Sequence, residues 1–570
     1  MSKSIFITNS DDIPFALQVQ QADEVKETIV IDPMLYGRAK KAGLKSPRLF
    51  YKEFTHRSND WYYQGFEDAD YMTHQIDHII SKSIPGTKRG YWFHGPFSRL
   101  TRKIRWNVYY WQNMIDVFEN LNAIVVLFDQ PLLQSAHSFI PSLYLIEKLM
   151  ERGYKWSAYS YGAEQSQLIA LPDTRRFIHD GFCLDILVHM PTCFYDKTLF
   201  EREILSTGKS VMALPSAYWN IEFEHINQTG LISLDERLMA TDSNITSQIS
   251  TSINEIKSVV VNYLNHFFRS ESFVAKQSEF ISNWFLAQML FFHDLSLAFE
   301  RRKPEKIILS DIDVGFHGPL VSLAAAHSIP VFYLPHAKVP IWRAPVSQEI
   351  KATILTHAGQ GMIPLNHNGF PLSTSEVDYD QYIKVDTLRP AALKVIGIIL
   401  NDIFGTTGDD IDLKCYLDGL KTIIEWSTAK GIICKIRCRP GYEFSTWLSE
   451  SLNINEVELQ IDMNVAFLDF SRQCDLCIGY DTPSSGEFEL VRNGIALLNI
   501  FIREAVEERK NIISEEVVNT VSIIQCISLL NSFLSDDCCF LVFRKKQLLN
   551  YMEKLAAAQP IRRHLITSPA

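Results

Sequence analysis

The chain has 570 residues, more than a single hydrophobic core organises well, so two or more domains are expected. Hydrophobic residues make up 46% and charged residues 21%, which excludes a disordered or collagen-like chain. The formal charge of -11 argues against nucleic acid as the main partner and leaves room only for a local basic groove.

The opening stretch, MSKSIFITNSDD, has a short apolar run before two acids and lacks the pattern of a signal peptide. The longest apolar runs, such as Ile124–Phe128, fall far short of the roughly 20 residues of a membrane helix. A cytoplasmic protein is expected. Cys434, Cys438 and Cys477 lie inside strand-like apolar runs and read as small buried hydrophobes. The lone Cys474-x-x-Cys477 has no second pair and no nearby histidine, so it predicts neither a metal nor a redox site.

In chain order, the first half alternates strand-like and helix-like segments. Ser4–Thr8, Thr28–Ile31 and Ala123–Phe128 read as strands, and the last leads into the loop Asp129-Gln130-Pro131. Phe139–Gly153 fits an amphipathic helix with a glycine stop. Leu184–His189 and Ser210–Leu214 are further strands leading into Pro191 and Pro215. The intervening stretch from Leu44 to Asn122 is rich in Tyr, Trp, Arg and His and reads as an insertion packed on the sheet. A sugar- or lipid-binding surface is its alternative. Ser243–Phe299 looks wholly helical, with Leu264, Phe267, Phe268, Phe280, Trp284, Phe285 and Met289 as its core stripe.

A further unit starts at the strand Ile307-Ile308-Leu309. It exits through Ser310-Asp311-Ile312-Asp313 into a helix opened by Pro319. The next strand, Ile329–Leu334, ends in Pro335-His336-Ala337. Glycines and prolines from Gly359 to Leu372 mark a domain boundary. The second half then restarts. Strand Lys394–Leu400 leads to the loop Phe404–Asp410, and strand Ile432–Ile436 leads to Arg437-Cys438-Arg439-Pro440. The stretch Cys474–Ile500 follows: a buried strand, the turn Asp481–Gly486, a short helix Glu487–Arg492, an Asn493-Gly494 stop and a second buried strand. Repeated β–α units imply parallel sheets covered on both faces, and such sheets bind ligands beyond the carboxyl ends of their strands.

The expected architecture is therefore α/β: two Rossmann-like, doubly wound domains facing a cleft, with a helical insertion in the N-terminal half. The boundaries are 1–365 for an N-terminal domain with aromatic and helical insertions, 366–535 for a C-terminal nucleotide-binding domain, and 536–570 for a C-terminal helix. That helix carries Arg544, Lys545 and Lys546 and is expected to pack back on the N-terminal domain, with contact to a membrane surface as the alternative.

Three strand-end loops would line the cleft on the C-terminal side. Gly405 and Thr406 offer backbone donors. Arg437 and Arg439, followed by Pro440, offer cations suited to bidentate phosphate contact. Ser484 and Ser485 offer hydroxyls at a helix start. Ordinary capping and surface ion pairing are the bland readings of each loop. Facing them, Asp313 and Asp311 are candidates for a base or nucleophile, with helix capping as their alternative. Asp311-x-Asp313 is also the one pair that could bind a divalent ion with a diphosphate, but the two-domain layout favours the acid–base role, and no metal or resident cofactor is expected.

With these elements the chain resembles GT-B glycosyltransferases that build bacterial surface polysaccharides from nucleotide sugars. The likeness rests on Ile432–Pro440, on Cys474–Ile500 and on Pro335-His336-Ala337, which is similar to a histidine loop in several such families. The Ser-Ser turn and the basic-Pro loop look most like the transferases of capsule and lipopolysaccharide synthesis that take CMP-activated acids, sialyltransferase-like and Kdo-transferase-like. The resemblance implies that the serine turn and the residue at 439 hold the nucleotide, that His336 contacts the donor phosphate or carboxylate, and that Glu487 binds the ribose hydroxyls. Relatives carry histidine where this chain has Arg439. The implied partners are a nucleotide sugar as co-substrate and a saccharide or lipid-linked saccharide acceptor, at the inner membrane face if the protein is peripheral. A UDP- or GDP-hexose transferase, a CDP-polyol phosphotransferase and a non-catalytic nucleotide-binding scaffold are the alternatives.

Overall fold

The computed structural model describes residues 3–30, 33–49, 60–83, 97, 100–105, 108, 118, 121–128, 141–161, 169–175, 184–190, 197–216, 222–310, 316–335, 343–344, 352–366, 371–381, 392–400, 413–438, 445–454, 461–462, 465–481, 485–502 and 512–566. Three parallel sheets of five, seven and six strands dominate them. The first contains β1 (Lys3–Ile7), β2 (Val25–Val30), β3 (Pro47–Leu49), β4 (Asn122–Phe128) and β5 (Lys155–Tyr161), in the order β3-β2-β1-β4-β5. An antiparallel pair, β6 (Ala170–Pro172) with β10 (Leu231–Ser233), follows.

The second sheet has the order β16-β14-β12-β11-β7-β8-β9. Its members are β7 (Ile186–His189), β8 (Val211–Ala213), β9 (Asn227–Gln228), β11 (Lys306–Ser310), β12 (Val331–Leu334), β14 (Ala352–His357) and β16 (Ser373–Val377). Beside it β13 (Arg343–Ala344) pairs with β15 (Leu365–Asn366). The third sheet runs β19-β18-β17-β20-β21-β22, built from β17 (Val395–Leu400), β18 (Ile433–Cys438), β19 (Ile461–Asp462), β20 (Leu476–Tyr480), β21 (Ala496–Ile500) and β22 (Thr520–Val521).

The sequence explains this choice of structure. In β7, β11, β12, β20 and β21 every residue is buried, so neither sheet face can be solvated, and helices must cover both. The fold class is α/β with doubly wound, Rossmann-like units, as the β–α alternation implies. The number of sheets differs from expectation. Residues 1–365, read as one Rossmann-like unit, contribute to two parallel sheets, and the second sheet continues to Val377. Alternation of strands and helices reports parallel pairing but not which sheet a strand joins.

The helices Ser243–Asn265 and Glu271–Arg301 form the insertion. They are separated at Ser270, whose side chain accepts from the Phe273 N–H and caps the second helix. Their stripe is core: Leu264, Phe268, Phe280, Trp284, Phe285 and Met289 are all buried. The helix Ile561–Ile566 packs on the second sheet, where Ile561 and Leu565 share a core with Ile186, Val188, Phe332 and Leu334. Among the described residues no single helix is long and apolar enough to cross a membrane.

The second and third sheets meet at their carboxyl edges. His357, which ends β14, stacks on Phe488 with ring centroids 4.2 Å apart and 7° between planes. Immediately after β16, Asp378 accepts from Arg492 Nη1 through both carboxylate oxygens at 2.9 Å. Phe488 and Arg492 belong to the helix Glu487–Arg492, which follows β20. The first unit reaches the third separately: Tyr36 Oη donates to Glu450 Oε2 at 2.6 Å, and Lys40 pairs with the same carboxylate.

Candidate functional site

Each sheet has one point where strand order reverses, and ligands of such sheets sit in the crevice beyond it. In the second sheet the reversal lies between β7 and β11, and in the third between β17 and β20. The loops leaving those four strands are therefore the places to look.

At the second sheet, His189 closes β7 and is fully buried. Its Nδ1 donates to the Leu214 carbonyl at 2.9 Å, while Nε2 accepts the Phe316 N–H at 3.0 Å. This fixes a neutral tautomer, and burial lowers its pKa to about 4. His317 opens the helix His317–His327, with Nε2 3.3 Å from the His189 carbonyl oxygen, which it can reach as a donor. The two rings meet edge to face, centroids 5.1 Å apart. Together they anchor the chain just after residues 311–315. Asp311, Asp313 and, after β12, His336 lie outside the described residues.

At the third sheet, Gly405, Thr406, Arg439, Pro440 and Ser484 also lie outside the described residues, leaving Arg437, Ser485 and Glu487. Arg437 sits one residue before the end of β18 and is buried. Its guanidinium carbon lies 4.9 Å from the centroid of Phe467, over the ring face. Phe467 opens the helix Phe467–Arg472 that feeds β20. A crossover helix runs back against its strands, so its first residue lies near their carboxyl edge. The same ring also lies against Gly486: a Cβ there would fall 2.8 Å from Phe467 Cε1. Phe467 thus joins the end of β18 to the serine turn, and Ser485 stands half-buried beside it. Sequence reading named both flanks and missed the ring between them. Its position at the start of the helix before β20 was the available signal.

Glu487 differs from its expected role. It is fully buried, its Oε2 accepts from Asn499 Nδ2 at 3.0 Å, and its carboxylate lies over Gly479, where a Cβ would meet Oε1 at 2.8 Å. The carboxylate ties the turn to β21. The helix Glu487–Arg492 is only six residues long, so its dipole gives little field for a phosphate, and arginine and hydroxyl donors must carry more of that work. Asp481, at the end of β20, holds φ at +70°, a left-handed backbone that turns the chain sharply towards residues 482–484.

Cys474 and Cys477 are buried free thiols packed near Gly397. Among the described residues no group of His, Cys, Asp or Glu is arranged to hold a metal ion.

The fold and the two crevices define an α/β protein of doubly wound parallel sheets. No protein-family model and no curated protein matches the chain. Solved structures with partial likeness include MurG of Acinetobacter baumannii, at 12% identity and TM-score 0.33, covering 67% of this chain and 98% of that one. The glycosyltransferase SnogD of Streptomyces nogalater gives 12% identity and TM-score 0.35 over the same shares, 67% and 98%. A structure described as a putative UDP-N-acetylglucosamine 2-epimerase of Listeria monocytogenes gives 9% and 0.34 over 66% and 95%. Values this low assign neither a family nor a chemistry.

Proposed function

We propose that the protein is a glycosyltransferase, moving a sugar from a nucleotide-sugar donor to a saccharide or lipid-linked saccharide acceptor of surface-polysaccharide synthesis. The observation that carries this reading is a pair of doubly wound sheets, each with one strand-order reversal, joined by the stacked His357 and Phe488 and by the Asp378–Arg492 pair. The third unit holds the nucleotide and the second presents the acceptor. Arg437, held against Phe467, supplies fixed charge beside the serine turn. Arg439, Pro440, Ser484, Ser485, Gly405 and Thr406 complete the seat. A CMP-linked acidic sugar such as Kdo or sialic acid is the preferred donor, since Arg437 and Arg439 suit one phosphate and one carboxylate.

Transfer needs the acceptor hydroxyl deprotonated as the nucleotide phosphate departs. Asp313 takes that proton, with Asp311 beside it, and His336 donates to the departing phosphate. The neutral His189 accepts from Phe316 and its carbonyl lies within reach of His317, which fixes the chain where that loop ends. Glu487 positions the serine turn through Asn499.

The test is a thermal-shift series with CMP, CDP, UDP, GDP and NAD. A ligand that binds only the folded state raises the melting temperature by mass action. A rise with CMP, reduced in Ser485→Ala and Arg439→Ala, supports the reading. A rise with UDP or GDP alone moves the donor to a hexose. No rise with any nucleotide overturns it. Asp313→Asn is expected to abolish transfer and leave the nucleotide-induced rise intact.

A further inference from the structure

The helix Asp537–Ala557 buries one face and leaves apolar side chains exposed on the opposite one. Its inward face is fixed. Phe540, Arg544, Gln547 and Tyr551 are buried, and Gln547 clamps β21 by donating to the Leu497 carbonyl at 2.7 Å and accepting the Leu497 N–H at 3.0 Å. The helix therefore cannot roll to hide its other side. On that side Cys538, Val542, Lys545, Leu549, Met552 and Ala556 recur at alternating spacings of four and three residues and form one stripe. Val542 is 61% exposed, Leu549 62% and Met552 41%. The stripe runs roughly 27 Å along the helix at 1.5 Å per residue.

We propose that this stripe is a docking surface for an anionic lipid bilayer. The charges on it select that occupant. Lys545 lies within the stripe, Lys546 and Glu553 share one flank of it, all exposed, and no acidic residue falls within it, in a chain whose net charge is -11. A lysine among exposed apolar side chains suits an interface, because its stem can lie on the acyl boundary while the ammonium reaches the headgroups. A second copy of the chain fits less well. Antiparallel pairing of two such stripes would bring the two Lys545 ammonium groups to within about one helical turn of each other in a dry contact. Docked in this way, the third unit and its strand-end crevice sit at a membrane surface, where a lipid-linked acceptor would be delivered. The surface itself does not depend on which donor the crevice takes.

The experiment is flotation of the full-length protein with phosphatidylglycerol-rich vesicles and with pure phosphatidylcholine vesicles. It is paired with light scattering in solution and with the nucleotide thermal-shift assay. The expected result is partitioning to the anionic vesicles that weakens with salt, falls roughly thirtyfold in K545Q/K546Q, and is lost in V542D/L549D. Both variants change exposed side chains only, so melting temperature and nucleotide response should match the wild type. Equal flotation of wild type and V542D/L549D, or flotation with neither vesicle, overturns the proposal. So does a wild-type dimer that V542D/L549D converts to monomer, which would make the stripe a contact between copies. Failure of the nucleotide response with flotation intact would count against the transferase reading and leave the docking surface standing.

Discussion

At the level of single residues, the turn after β20 depends on a missing side chain. Gly479 is the fourth residue of β20, and a Cβ there would lie 2.4 Å from Asn499 Oδ1 and 2.8 Å from Glu487 Oε1. Those two side chains bond each other over the glycine at 3.0 Å. Both are buried, so neither can swing into solvent to make room. Gly479→Ala should therefore cost about 2 kcal/mol, the usual scale for overpacking a close-packed interior. Urea unfolding measures it, and the variant should also bind nucleotide more weakly, because displacing Glu487 moves Ser485 two residues earlier. A variant with wild-type stability would show that the bond over Gly479 is not a fixed contact. The sequence placed this glycine at a strand end. It did not reveal why alanine is excluded, because the clash comes from Glu487 and Asn499, brought over the glycine by the helix after β20 and by β21.

At the level of elements, His189 pins the exit of β7. As a neutral ring it donates to Leu214 beyond β8 and accepts from Phe316 at the start of the helix after β11. Protonation would turn that acceptor into a second donor aimed at an N–H. Burial lowers the folded-state pKa to about 4 from the ordinary 6.5, so the unfolded chain takes up the proton first as pH falls. The contribution is whole above pH 6.5 and is lost progressively as pH drops towards 4. Between pH 7 and pH 5 it amounts to about 2 kcal/mol. H189Q, which keeps a donor and an acceptor without titrating, should be less stable at pH 7 yet lack this part of the pH dependence. Urea titrations of both proteins at the two pH values decide it: identical slopes would remove His189 as the cause. The same elements show what was legible. The apolar runs of β7, β11, β12, β17, β20 and β21 identify themselves, because strands buried on both faces admit no polar alternation. Strands such as β9, β13, β15, β19 and β22 have two residues each and no periodicity to read. The aromatic ring beside Arg437 and the serine turn was missed for another reason: Phe467 meets both through tertiary packing, and its place at the start of the helix before β20 was the only local sign of it.

At the level of the whole molecule, the chain passes between the second and third units twice. It leaves after β16 to begin β17, and it returns at residues 558–560 to place the helix Ile561–Ile566 on the second sheet. Two crossings restrict relative motion of the units more than one would. At the stacked His357 and Phe488, beside the Asp378–Arg492 pair, Tyr551 of the helix before the return also approaches both rings. The return is also a strap. Lys306, buried at the start of β11, donates from Nζ to the His564 carbonyl at 2.6 Å, and burial lowers its pKa. Ile561 is 1% exposed and Leu565 0%. Removing residues 559–570 would uncover the apolar surface those two side chains close and take an acceptor from a buried ammonium. The expected loss is about 4 kcal/mol, from two aliphatic side chains at 1.5–3 kcal/mol each. It should fall on the second sheet, where Ile561 and Leu565 join a core separate from the one beside the serine turn. In urea the truncated protein is expected to unfold in two steps, the first reporting the second sheet, while the third unit keeps its nucleotide response until the later step. A single transition at the wild-type midpoint would show that the strap rests on the second sheet without holding it.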